Sequence, residues 1–176
     1  MADVTSQLRR RTIRWDIALP EAFADRSNPT VAELNNADLV FNITCAVDEE
    51  GTTFSLGDSE TDDRYSYCDD SGVDRPTFYN PEATLAIYRD ADRAAAGQFN
   101  LAFDLLGHED VKLFIIKRVG DSDNNAATAY ALGDRIKMQY GSTDYIADIL
   151  ASEDPVMFEQ TPLQLGFSNW NYEVSA

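Results

Sequence analysis

A chain of 176 residues with 44% hydrophobic and 11% aromatic content has the size and make-up of one globular domain, long enough to bury roughly 70% of the surface its unfolded form exposes. Its mean hydropathy of −0.36, with no long apolar run, excludes a membrane-spanning helix. The excess of 31 acidic over 14 basic residues, a net charge of −17, excludes binding to nucleic acid through phosphates, which requires Lys and Arg to displace counterions.

The arginines of the first segment, MADVTSQLRRRTIRW, are followed by no apolar stretch and no small-residue cleavage site, so the chain is expected to stay in a cytoplasm. There Cys45 and Cys68 would remain reduced. Cys45 reads as a small core residue, whereas Cys68 lies among carboxylates that raise a thiol pKa and disfavour a nucleophile.

From Thr12 to Ala18, Ile13, Trp15 and Ile17 alternate with Thr12, Arg14 and Asp16, the pattern of a half-buried strand. Thr30 to Glu33 fits a capping box opening a short helix to about Asn36. Leu39, Phe41, Ile43, Cys45 and Val47 alternate so regularly that a strand is predicted over 39–47. Residues 48–76 form a long acidic excursion with a strand candidate at Tyr65 to Tyr67, compatible with an extended loop or hairpin. Thr77 to Tyr88 reads as a strand with Ala83, Leu85 and Ile87 inward. A helix begins near Asp90 or Asp92, becomes regular near Gln98 because Gly97 weakens its first turns, and ends at Leu106 before Gly107. Its inward stripe is Ala95, Phe99, Ala102, Phe103 and Leu106. Strands are predicted over 111–119, 134–140, 145–150 and 155–167. The order of strands, helix, strands implies a mainly β or α+β domain, a sandwich with one flanking helix, without repeat or linker.

The charge is uneven. Residues 1–14 hold Arg9, Arg10, Arg11 and Arg14 against Asp3 alone, while residues 48–74 hold ten acids against Arg64. Such a pairing suggests association between copies, with Arg9, Arg10, Arg11, Arg14, Asp58, Glu60, Asp62, Asp63, Tyr65, Tyr67, Asp69 and Asp70 as candidate contact residues. A solvated surface kept for solubility explains the same charges, and both readings stay open. Calcium binding fits poorly: with Asp58, Glu60 and Asp62 at the first three ligand positions of an EF-hand, Asp63 stands where glycine is required and Asp69 where a bidentate glutamate belongs. The segment Asp121 to Asn125 fails the template too, with Ala126 and Leu132 at those positions. A carboxylate hydrolase lacks an apolar pocket to raise one pKa. The single His108 follows the helix end, where a cation suits the dipole, and reads as a cap or surface residue. No catalytic residue, metal or cofactor is assigned.

The blocks DSETDDRYSYCD (58–69), PTFYNPEATLAIYRDAD (76–92), FNLAFDLL (99–106) and LFIIKRVG (113–120) resemble the major tail, or tail tube, proteins of long-tailed siphovirus-type phages of actinobacteria. The likeness spans roughly 38–155. It implies a β-sandwich with a flanking helix, six copies closing into a ring around a β-barrel, and rings stacked into a virion tube through which double-stranded DNA leaves. It also implies an extended loop or hairpin and termini that bridge neighbouring copies, and partners such as the tape measure and tail terminator proteins. Assembly would occur in the host cytoplasm, without membrane contact. Some members carry a further immunoglobulin-like domain, which is not expected here. The competing expectations are a monomeric acidic calcium-binding or DNA-mimicking module, and a metal-dependent hydrolase using the Asp58 to Asp70 carboxylates.

Overall fold

The computed structural model describes residues 12–57, 60–62, 75–78, 81–90, 92, 94–120, 126–149 and 157–176. The strands among them are β1 (Ile13–Ala18), β2 (Val40–Asn42), β3 (Thr53–Leu56), β4 (Glu60–Asp62), β5 (Arg75–Phe78), β6 (Pro81–Tyr88), β7 (Lys112–Val119), β8 (Arg135–Ser142), β9 (Ala147–Ile149), β10 (Met157–Gln160) and β11 (Leu163–Glu173). Two α-helices, α1 (Val31–Leu34) and α2 (Gln98–Leu106), accompany them. One antiparallel sheet runs β11-β8-β7-β1-β2, a second runs β3-β6-β10-β9, and β4 and β5 form a separate two-stranded ribbon. The result is the expected β-rich α+β sandwich with a flanking helix and an extended hairpin.

Between the sheets lies a core drawn from both. It contains Trp15 and Ile17 of β1, Leu113 and Ile115 of β7, Phe54 of β3, Leu85 and Ile87 of β6, and Phe158 of β10. Trp15 and Phe54 meet edge to face at 5.4 Å and lock the sheets together. Helix α2 closes this core with Ala102 and Leu106, both fully buried. Its start at Gln98 follows from local competition: the Asp90 and Asp92 carboxylates accept from the amides of Asp92 and Ala94, holding that stretch in turns. The Gln160 amide then fixes the helix end, donating to the carbonyls of Leu106 and Asp144 while accepting from the Asp144 amide.

β1 is buried on both faces rather than half-buried. On its far side Ala18 joins Phe114, Ile116, Ile136, Met138 and Tyr140 under a cover supplied by Ala22, Phe23, Leu34, Tyr130, Tyr172 and Val174. α1 anchors that cover through the predicted capping box, with the Thr30 hydroxyl accepting from the Glu33 amide and the Glu33 carboxylate from the Thr30 amide. Covering both faces explains the near-continuous apolar run of β7, whose residues Leu113 to Ile116 are all fully buried.

Four predicted strands have different bounds. The regular alternation over 39–47 yields only β2, because the Asn42 side chain accepts from the Thr44 amide and turns the chain into a 3-10 turn over Thr44–Ala46. The turn places Ala46 in the core and leaves Cys45 exposed, contrary to the reading of Cys45 as a core residue. The predicted strand over 155–167 divides into β10 and β11, which belong to different sheets; Pro162 between them has no amide to continue a ladder. Similarly, β5 and β6 divide the predicted strand over 77–88, and β9 is shorter than 145–150, with Tyr145 75% exposed. The excursion contains β3, which the sequence pattern did not indicate and which pairs with β6. The Tyr65 to Tyr67 candidate lies outside the described residues.

Thr44 replaces a missing ladder contact on β1: its hydroxyl accepts from the Trp15 amide at 2.9 Å and donates to the Trp15 carbonyl at 3.2 Å. Thr44→Val keeps the shape but strands the Trp15 amide, while the Trp15 carbonyl still accepts from the Ile43 amide, and should lower stability by about 1–3 kcal/mol. Urea unfolding, with an unchanged slope and a lower midpoint, is the measurement that checks it.

Candidate assembly surfaces

The sequence places Arg14 and Asp16 two residues apart on β1, hence on one face. Arg14 grips the fully buried Asp16 with Nε at 2.7 Å and Nη2 at 2.9 Å, a bidentate pair, while its Nη1 donates to the Thr128 carbonyl at 2.8 Å. The Tyr130 hydroxyl donates to the same carboxylate at 2.5 Å. Directly across the ladder from Arg14 stands Arg118 of β7, also fully buried, whose Nη1 reaches Asp134 at 3.1 Å and the Ala129 carbonyl at 3.0 Å.

Two guanidinium groups facing each other on adjacent strands repel. Here the Tyr130 ring is shared between them, 4.7 Å from Arg14 and 5.0 Å from Arg118, and each cation keeps its own carboxylate. Asn35 holds the Tyr130 backbone at both its amide and its carbonyl, and Asn42 donates to the Ala126 carbonyl. The loop over 126–134 is thereby fastened across the sheet. Burial opposes the charge on Arg14, but the hydrogen bonds and charge of Asp16 outweigh it and raise the Arg14 pKa. Burial, reinforced by the Asp16 carboxylate, holds the Tyr130 phenol well above its ordinary value.

The candidate contact residues fall in three groups. Arg14 is half-buried and engaged within its own chain. Glu60 and Asp62 lie on β4, so the hairpin carries at least these two acids. Arg9, Arg10, Arg11, Asp58, Asp63, Tyr65, Tyr67, Asp69 and Asp70 lie outside the described residues.

Sequence reasoning missed two features. One is the Tyr130 network, whose signal in sequence was the presence of charged residues, Asp16 and Arg118, inside two strands of the core. The other is a cleft of about 160 Å³ beside β1, lined by residues that include Trp15, Thr44, Val47, Glu49, Thr52 and Lys117. The Lys117 ammonium sits 4.8 Å over the Trp15 ring. Burial and the neighbouring Lys137 lower its pKa, with Glu49 acting in the opposite sense.

The sheets also present edges. β11 flanks the first sheet over 11 residues, with Leu163 55% and Leu165 40% exposed, and its Gly166 at φ +83° falls within the register shift between Gln164 and Phe167. Such an edge carries backbone groups available to another strand. Asp48 is held by the Tyr88 hydroxyl at 2.6 Å and the Gly51 amide at 2.8 Å, so this acid organises its own turn. Among the described residues no group of three or more His, Cys, Asp or Glu side chains is placed to hold a metal ion, and no helix is long and apolar enough to cross a membrane. His108 is exposed.

The described chain is a two-sheet β-rich protein whose edge strand β11 exposes Leu163 and Leu165. Residues 1–176 match the family model for the phage tail tube protein, and the chain belongs to that family. Comparison with curated proteins found no match. Membership gives the chain a structural role in the virion tail, self-assembling into a tube together with other phage tail proteins.

The phenol pKa generates a pH prediction. Because the folded-state pKa of Tyr130 lies above the unfolded value of about 10, its contribution is intact below that pH and is lost as pH rises beyond it. Denaturant midpoints measured through that range should fall more steeply for the native sequence than for Tyr130→Phe. At neutral pH the same substitution should cost about 1–3 kcal/mol, since it removes one hydrogen bond from buried Asp16.

Proposed function

We propose that the chain polymerises as stacked hexameric rings, forming a net-negative conduit through which the genome passes into the host. The whole-length family match carries this reading. Charge supports it: six copies of a −17 chain bring about −100 to each ring before counterions. Duplex DNA presents one phosphate per about 1.7 Å of axis, so a basic bore would retain it by counterion release and an acidic one leaves it mobile. In this reading the chain is one tail tube domain, assembled in the host cytoplasm with tape measure and terminator proteins, and is neither an enzyme nor dependent on a cofactor. Arg9, Arg10 and Arg11 would lie against acid-rich surface of an adjacent copy.

Negative-stain images of the purified protein should show rings or hollow tubes; a monomer at every concentration would overturn the proposal. The arm has its own test. An Arg9, Arg10 and Arg11 triple alanine variant should polymerise poorly at low ionic strength and recover as salt screens the acids it no longer neutralises. Normal assembly at every ionic strength would remove the arm from the contact.

A further inference from the structure

Gln139 stands in the middle of β8, fully buried, and among the described residues neither its side-chain oxygen nor its nitrogen has a hydrogen-bond partner. Its ladder partners are Ile115 on β7 and Ser168 on β11, and Ile115 belongs to the core between the sheets, so Gln139 faces that core. The fold satisfies the same group elsewhere: Gln160, equally buried, donates to the Leu106 and Asp144 carbonyls and accepts from the Asp144 amide. A desolvated amide without a partner is costly and rare in a finished structure. The neighbouring strand is irregular at the same place. The 11 residues of β11 oppose the eight of β8, because Leu165 and Gly166 are passed over between Gln164 and Phe167, and Trp170 and Asn171 stand against Lys137 alone. Three consecutive pairs, Phe167 to Asn169 on Tyr140 to Met138, therefore hold β11 beside Gln139, with a bulge at each end.

We infer that Gln139 is a latent hydrogen-bonding group, unpaired in the free subunit and satisfied when the middle of β11 shifts against β8 as the subunit joins a second copy. Its new partners are the peptide groups of the bulged residues 165–166 and 170–171. This inference rests on the self-assembly reading above and adds a conformational step to it. The surplus residues give β11 the slack to move at its middle while its ends stay paired, Leu163 on Ser142 and Glu173 on Arg135. β11 is also the edge of its sheet, with Leu163 and Leu165 exposed, so a second copy seated there touches the strand that has to move. A partner that binds one arrangement of β11 better than the other shifts the balance towards it. The cost that the free subunit carries at Gln139 is then released on assembly and helps to drive it.

NMR on the isotope-labelled native chain, in solution for the free subunit and in the solid state for tubes, tests this at the group itself. The Gln139 side-chain amide is assigned through its own backbone resonances. In tubes it should show through-space transfer to the carbonyl carbons of residues 165–166 or 170–171, and in the free subunit it should show none. Tubes without that transfer, a free subunit that already has it, or a water held on the amide in both states overturn the inference and leave the tube proposal standing. Failure to form tubes overturns both. Gln139→Met supplies a second measurement. Removing the unpaired amide should raise the melting midpoint of the free subunit by about 2–6 °C. With nothing left to gain on assembly, the variant should also polymerise at least about tenfold more slowly. A lowered midpoint, or polymerisation at the native rate, overturns the inference.

Discussion

The Asp16 carboxylate, taken out of water in the middle of a sheet, constrains much of what surrounds it. A buried charge is tolerated only when paired and fully hydrogen-bonded, and Asp16 obtains this from the two Arg14 nitrogens and the Tyr130 hydroxyl. Tyr130 can reach it only if the loop over 126–134 lies flat on the sheet, which the Asn35 and Asn42 side chains enforce. Once there, the ring screens Arg14 from Arg118. The network therefore fixes a register between β1, β7 and the covering loop that apolar packing alone would specify less sharply. Removing one partner leaves a desolvated charge rather than a neutral gap, which makes the arrangement close to all-or-none.

With that cover in place the first sheet has no solvent-facing side across its middle. One face meets the second sheet and α2, and the other meets α1 and the fastened loop. Its described margins remain open to a partner, among them the β11 edge and the cleft beside Trp15. A subunit built this way can join neighbours at its rims without exposing its core, which suits self-assembly into a tube.

Much of this was legible in the residues. The capping box at Thr30 and Glu33, the α2 residues Phe99, Ala102, Phe103 and Leu106, and regular helix from Gln98 appear as read, whereas Ala95 and the predicted beginning near Asp90 or Asp92 lie outside the helix. The failures have a common cause. Alternation over 39–47 indicated one long strand, yet an Asn42 side chain and the Thr44 hydroxyl offered the backbone other partners and won within three residues. Pro162 likewise marked a change of sheet that a count of apolar residues could not show. Asp16 looked like the solvent side of a half-buried strand because Tyr130, which covers it, is 114 residues away in sequence. The acidic excursion was recognisable as a hairpin, whereas the cleft was not, since its walls come from the separate segments around Trp15, Thr44, Thr52 and Lys117.

The distribution of cations links the fold to assembly. Among the described residues, five cations are stacked on rings of their own subunit: Arg14 and Arg118 on Tyr130, Arg26 on Tyr140 and Phe114, Arg89 on Phe103, and Lys117 on Trp15. Positive charge used in this way steadies the fold and is held at set places, so it compensates the 31 acids unevenly. At physiological salt the field of an acid fades over about 8 Å, hence each uncompensated patch acts only on what passes or docks close by. On the proposed arrangement, patches at copy-to-copy contacts must meet Arg9, Arg10 and Arg11, and those lining the bore must meet nothing basic. A single polypeptide can satisfy both demands only by sorting its charges by surface, and the rings that immobilise its arginines are one means of doing so.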